Sequence, residues 1–350
     1  MLESRRERCM ASMKDISKAC GVSVATVSKA LNNHKDIGDE TKQYIKRVAR
    51  EMGYSPNLAA RALKTNKTRG IGVLFVDDDR SGLTHSYFAS VLDSFKRMAE
   101  KCGYDITFIN SNKNRADSMS YLEHSRYRGF DGIAIACINF KDPEVEELLQ
   151  SNIPIVTIDY LSNNHIAVIS DNVGGMKDLT EYICRQGHRK IAYIHGSSSG
   201  SSSTVTTNRI SSFYRTAEQF GIEVPDEYVR EAPYRDTEKS YQLTNELLNL
   251  PDPPTCIIYP DDFAAFGGIN AIRERGLNIP ADISVAGYDG ISAARHLEPK
   301  LATIQQDTEQ IGVAAARELI SLIERPKSTI IEQITIPGKL VEGKSVAKLS

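Results

Sequence analysis

The chain reads as a small all-α head followed by an α/β body of two parallel-sheet subdomains. Three observations carry that reading: three short helical periods within the first 54 residues, β-branched runs alternating with helical patterns from residue 70 onward, and a change in the sign of the charge between the two regions. At about 150 residues per domain, 350 residues make two or three domains, ample for cores that need no staples. Apolar residues at 41% and charged residues at 25% exclude collagenous, fibrous and extensively disordered classes. No apolar run approaches the roughly 18 residues of a bilayer span, and the opening MLESRRERCMASMKD lacks the apolar stretch of a signal peptide, so the expectation is a cytoplasmic protein with no membrane partner. Six scattered cysteines without a C-x-x-C pair argue against a zinc ribbon or a redox dithiol.

Residues 1–67 hold 14 Lys and Arg against 7 Asp and Glu, whereas the rest holds 29 against 38. A basic head on an acidic body raises the question of a polyanionic partner, because cations that neutralise phosphates release counterions.

The head occupies residues 13–54. Ile16, Ala19 and Cys20 share one face, Val24, Val27, Ala30 and Leu31 the next, and Ile45, Val48, Ala49 and Met52 the third. Gly21 stands where a tight turn between helices needs positive φ, Ser23 is placed to cap the second helix, Asp39 to cap the third, and Gly53 to end it. This spacing predicts a helix-turn-helix. If the second helix enters a major groove, Val24 and Ala25 at its N-terminus face base edges with Lys29 one turn on, while Ser23, Thr26 and Ser28 supply hydroxyls for phosphate oxygens. The alternative is a generic three-helix bundle. The segment YSPNLAARALK that follows, within residues 55–69, is one or two turns of good helix formers, too short to hold a helix alone in water.

Beyond residue 70 the runs GIGVLFV, DITFIN, GIAIA, PIVTIDY, AVISDN, KIAYIHG, TCIIYP and ISVAGYD are separated by helix lengths, the βαβ signature of parallel sheets. Two sheets in succession fit better than one very wide one, and open α/β sheets bind ligands at the carboxyl ends of their strands. The candidates there are Asp77, Asp159, Asp261 and Asp289; Asp262 is assigned to capping or packing its helix.

The runs KDISKACGVSVATVSKALN and GYSPNLAARAL closely resemble the DNA-binding head and hinge helix of the LacI/GalR transcription regulators. The motifs SYFAS, GFDGIAI, ISDNVGG, QGHRKIAYI, PDDFAAFG and DISVAGYD resemble the periplasmic-binding-protein-like body of the same family. By that resemblance Leu63 wedges into a central base step in the operator minor groove, Tyr54 and Asn57 make backbone or hinge contacts, and residues 1–12 are extra, with Met13 a second candidate start. The body, residues 70–350, would comprise a first subdomain (about 70–160 plus 291–322) and a second (about 161–290 plus 323–338). The implied effector contacts are Tyr87, Phe88, Asp159, Arg209, Tyr234, Asp261 and Asp289. Asp289 is followed by Gly290, where relatives usually carry an acidic or amide residue.

Three candidate carboxylates against one arginine suit adjacent hydroxyls, and Tyr87, Phe88 or Tyr234 could cover an apolar ring face, which favours a small neutral carbohydrate. For Asp159 and Asp261 the competing reading is helix capping. GSSSGSSS lacks the G-K-[ST] ending of a phosphate loop, the histidines show no H-E-x-x-H, and neither G-x-S-x-G nor G-x-G-x-x-G occurs, so no metal, cofactor or catalytic role is expected. The resemblance implies a homodimeric repressor released from double-stranded operator DNA by its sugar. The alternatives are a corepressor mode with a purine-like ligand and, more remotely, a solute-binding protein, which would need a secretory signal and no basic head. A C-terminal tail without leucine heptads makes a dimer the default over a tetramer.

Overall fold

The computed structural model describes residues 11–54, 67–76, 82–110, 119–197 and 204–349. The chain divides into two compact units, one up to Thr68 and one from Arg69 onward. Among the described residues no helix is long and apolar enough to cross a membrane, and no cluster of His, Cys, Asp and Glu could hold a metal ion.

The head is three helices: α1 (Met13–Cys20), α2 (Val24–Leu31) and α3 (Asp39–Glu51). Ser12 and Asp15 form a capping box at the start of α1, and Gly21 ends it at φ +66°, the left-handed conformation that frees the chain to turn into α2. Ser23 caps α2, accepting from the Thr26 N–H at 3.1 Å. Asp39 does not cap α3: Gly38 holds the cap position with no side-chain hydrogen bond, and Asp39 lies inside the first turn with Glu40. There the two carboxylates still complement the positive end of the helix. Ile16, Val27, Ala30, Ile45 and Ala49 close the core, with Cys20, Val22, Leu31, Ile37 and Tyr54 against it. Ala19 and Val24 belong to their helical periods but are exposed.

The body begins with β1 (Gly70–Phe75), α4 (Ser86–Lys101), β2 (Asp105–Phe108), α5 (Tyr121–Arg128), β3 (Gly132–Ala136), α6 (Pro143–Leu149), β4 (Ile155–Ile158) and β5 (Ile166–Ser170). It continues with α7 (Asn172–Arg185), β6 (Ile191–Ser197), α8 (Thr204–Gln219), β7 (Val229–Pro233), α9 (Thr237–Leu248), β8 (Cys256–Ile258), α10 (Asp262–Glu274) and β9 (Ser284–Ala286). The chain then runs through β10 (Thr303–Gln305), α11 (Thr308–Glu324), β11 (Gln333–Ile336) and β12 (Lys339–Val341). The first sheet has the order β11-β5-β4-β3-β1-β2 and the second β7-β6-β8-β9, all pairs parallel; β10 and β12 form a small antiparallel pair. Apolar clusters cover the first sheet with α4 and α11 on one face and α5 and α6 on the other, as a buried parallel sheet requires. Two more clusters sandwich the second sheet.

The subdomain boundaries differ from those expected. β5 pairs with β4 in the first sheet (Val156↔Ile166), so the break falls after residue 170 and not after 160. Every residue of β5 is buried, which demands a partner on its other edge, and β11, from the segment assigned to the second subdomain, supplies it (Gln333↔Ala167). In the opposite sense Ile291, Ala294 and Leu301 pack into a core of the second sheet, so the segment from 291 to about 302 leaves the first subdomain. Asp262, buried in the first turn of α10, fastens it there by accepting from the Ile291 N–H at 2.9 Å and the Thr303 hydroxyl at 2.7 Å. The tail returns along β9, where the Ser345 hydroxyl donates to the Val285 carbonyl and the His188 ring contacts Thr255 Oγ1 and the Ala347 carbonyl.

Candidate functional site

In the head, Ser23, Val24 and Ala25 are exposed at the N-terminus of α2, with Val24 at 40%. An apolar side chain at that exposure earns no core packing, and the helix end beside it carries the positive half of the macrodipole. The hydroxyls of Ser23 and Thr26 lie 2.9 Å apart, so both serve the cap before any phosphate arrives. Ser28 is half-buried, and its carbonyl accepts from the Asn32 side-chain amide. Lys29 pairs with Asp36 at 2.5 Å, which holds the Asp36 carboxyl below its ordinary range, and His34 stands 3.9 Å from the same carboxylate. Tyr54 packs against the head core. Asn57 and Leu63 lie outside the described residues.

In the body, the expected residues gather at the carboxyl ends of the strands of the two sheets, where α/β folds place their ligands. Asp159, just after β4, has φ +55°, an unusual conformation for a residue with a Cβ. It does not cap a helix: one oxygen accepts from the Tyr87 hydroxyl at 2.6 Å and the other from the Ser170 N–H at 3.0 Å. Burial raises its pKa, opposed by those two hydrogen bonds and by the charge of Arg209. Tyr87, in the first turn of α4, is buried, and Phe88 beside it meets the rings of Tyr87 and His85 at 4.9 Å and Phe75 at 5.7 Å.

Arg209, on α8, is 3% exposed. Its Nε–H donates to Asn172 Oδ1 at 2.8 Å, Nη1 donates to the Pro260 carbonyl at 3.0 Å, and Nη2 lies 3.9 Å from Asp289 Oδ1. The guanidinium is stacked on the Tyr288 ring at 3.6 Å, and the surrounding anionic and phenolic groups hold its pKa above the ordinary value. Asn172 in turn donates to the Ser170 carbonyl, so a chain of polar contacts runs from the end of β5 to the loop after β8.

Asp289, after β9, has φ +104° and accepts from Gln306 Nε2 at 2.6 Å. Burial pushes its pKa up to about 7; Arg209 and the Gln306 hydrogen bond act against that rise, and the charges of Asp261 and Asp159 add to it. Gly290 departs from the resemblance for a steric reason: at φ +69°, a Cβ there would stand 2.4 Å from the Cα of Gln305. Asp261 does cap a helix, as the competing reading held: it accepts from the Ala264 N–H at 2.9 Å and, through its other oxygen, from the Arg235 N–H at 2.7 Å. Tyr234, half-buried, lays its ring over Gly196 at the end of β6, where a Cβ would come within 2.1 Å of it, and its hydroxyl meets Thr206 at 2.8 Å. Asp77 lies outside the described residues.

Sequence reasoning missed Asn172, Gln306 and Tyr288, which hold Arg209 and Asp289, and it missed Arg235 altogether. Asn172 sits inside the ISDN motif and Tyr288 inside GYD, so a residue signal existed, but only contacts distant in sequence assign the roles. The arrangement offers carboxylate oxygens with spare lone pairs, the stacked guanidinium of Arg209 and aromatic walls, the equipment of a site for a small polar ligand.

Comparison with known proteins identifies the family of the chain. Residues 12–57 match the model for bacterial regulatory proteins of the lacI family, and residues 180–346 match that for a periplasmic binding protein-like domain. The transcriptional repressor PurR of Serratia proteamaculans is 32% identical over 345 residues, covering 97% of each chain. The probable transcriptional repressor ExuR of Bacillus subtilis is 32% identical over 344 residues, covering 97% of this chain and all of that one. Among solved structures, the Lac repressor dimer bound to operator and the anti-inducer ONPF has a TM-score of 0.79 at 23% identity, covering 96% of this chain and 99% of that one. The chain belongs to the LacI family of DNA-binding transcriptional repressors, with a helix-turn-helix head and an effector-binding body of the periplasmic-binding-protein type.

Proposed function

We propose that this repressor acts as a homodimer on a near-palindromic operator and leaves it when a small carbohydrate enters the site between the two sheets. The observation that carries the carbohydrate is the placement of the carboxylates of Asp159, Asp261 and Asp289, half-buried or buried, around the stacked guanidinium of Arg209, with Tyr87, Phe88 and Tyr234 beside them. Carboxylates accept from adjacent hydroxyls, and the aromatic rings cover an apolar sugar face. A ligand that touches both sheets favours one relative placement of the subdomains, and that preference is the energy available to change the hinge. Coupling is reciprocal, so operator DNA weakens sugar binding by the same factor.

A thermal-shift screen of the full chain against mono- and disaccharides, sugar phosphates and purines tests the ligand class, since a ligand at about 100 times its Kd adds roughly 2.7 kcal/mol. Gel-shift titration with the responding ligand then gives the sign of its effect on DNA. The purine-like corepressor is the second reading, favoured by the 32% identity over 97% of the chain to a relative named PurR; stabilisation by purines alone, with tighter operator binding, replaces the first reading with it. Leu63→Ala lowers operator affinity and leaves effector affinity unchanged; unaltered gel-shift titration would remove the minor-groove wedge.

A further inference from the structure

The turn after β7 carries a cation that the charge count of the site left out. Arg235 has φ +63°, in the left-handed region that a residue with a Cβ occupies only when its surroundings hold it there. They do so through the main chain: the Arg235 N–H donates to Asp261 at 2.7 Å, and the next residue, Asp236, caps α9 by accepting from the Lys239 N–H at 2.8 Å. Asp261 therefore spends its oxygens on two backbone N–H groups, of Ala264 and Arg235, and takes nothing from the Arg235 guanidinium.

That guanidinium lies over the ring of Phe263, 4.5 Å from its centroid. Its Nη1 is buried and has no hydrogen-bond partner among the described residues. A flat cation steadied on an aromatic face, with an unused donor, is a prepared seat for a planar or tetrahedral oxyanion, because the guanidinium fork matches carboxylate and phosphate alike. Tyr234, the neighbour of Arg235 in the chain, and Asp261, its backbone partner, place the seat at the edge of the candidate effector site.

We propose that Arg235, stacked on Phe263, binds an oxyanion substituent, a carboxylate or a phosphate, carried by the effector. The inference rests on the carbohydrate reading and replaces its neutral ligand with an acidic sugar: the hydroxyls face the carboxylates around Arg209 and the acidic end faces Arg235.

The test is calorimetric titration of the full-length protein with glucose, glucuronate and glucose 6-phosphate, and with galactose, galacturonate and galactose 6-phosphate. It is run on the wild type, Arg235→Gln and Arg235→Lys. The expected result is that an acidic member binds at least about tenfold more tightly than its neutral parent. Arg235→Gln removes that preference, weakening the acidic member far more than its neutral parent, and Arg235→Lys, which keeps the charge without the fork, retains part of it. The uronate and phosphate arms tell which oxyanion is meant. Neutral sugars that bind as well as their acids, or an Arg235→Gln variant that weakens both equally, overturn the subsite and leave the carbohydrate reading intact. Binding of purines with no response to any sugar overturns both.

Discussion

The guanidinium of Arg209 lies 3.6 Å from the centroid of the Tyr288 ring, and the residue that follows Tyr288 is Asp289, whose carboxylate stands 3.9 Å from the same arginine. One dipeptide thus gives Arg209 both a flat surface and a counter-charge, while Asn172 and Pro260 hold its other donors. The fork is oriented before a ligand arrives, which lowers the ordering cost of binding.

Arg209→Ala removes a buried cation and strands Asn172 Oδ1, the Pro260 carbonyl and the Asp289 carboxylate. Breaking a buried ion pair on one side costs about 3–5 kcal/mol, so the urea midpoint of the body falls and the effector response disappears. Arg209→Lys keeps the charge but not the fork, and is expected to recover part of the stability and little of the response.

The site makes stability depend on pH in a set direction. Asp289 has its folded pKa raised from 3.8 to about 7, so between those values the folded chain holds a proton that the unfolded chain has released. Unfolding free energy therefore falls as pH rises from about 4 to about 7 and is flat above, at up to roughly 1.4 kcal/mol per pH unit. Asp289→Asn removes this contribution. Urea titrations at pH 5.5 and 8 should show the wild type losing more stability over that interval than the variant; equal losses refute the assignment to Asp289.

Tyr87→Phe deletes the hydroxyl that donates to Asp159 at 2.6 Å and leaves that carboxylate with the Ser170 N–H. The expected cost is about 1–3 kcal/mol by chemical denaturation, with weaker effector binding and unchanged operator affinity in the absence of effector.

Gly196→Ala would put a methyl group within 2.1 Å of the Tyr234 ring. The ring, held by Thr206, must move off its seat. Effector affinity should fall by about tenfold or more while operator binding without effector persists, read by titration and gel shift.

In the head, capping and DNA contact can be separated at one position. Ser23→Ala loses a cap worth about 0.5–2 kcal/mol and weakens the head and its operator binding together. Ser23→Asp restores the cap but places a negative charge at the N-terminal end of α2, the end expected to face the groove. Its thermal stability should match the wild type while operator affinity falls and the salt dependence becomes shallower; wild-type operator affinity in this variant would take Ser23 out of the interface.

Local patterns by themselves determined the helix-turn-helix, the Gly21 turn, the Ser23 cap and the alternation of strands and helices, because each follows from a few neighbouring residues and their periodicity. β1, β3, β4 and β6 are β-branched runs with buried faces, and they lie within a residue or two of where those runs predict them. β7, β10, β11 and β12 were not legible: they are short or edge strands that exist through the partner they find, and β11 finds β5 about 165 residues away in sequence. Gly38 took the cap from Asp39 because the backbone entering α3, and not residue preference, decides which residue precedes the first turn. At the site the residue types of Asp159, Arg209 and Asp289 were readable, but their tasks were not. Whether an aspartate caps a helix, as Asp261 does, or accepts from a tyrosine across the site, as Asp159 does, depends on donors brought from other elements. Only the tertiary structure decides that, for a hydrogen bond is a distance and an angle, and neither exists until the sheets have packed.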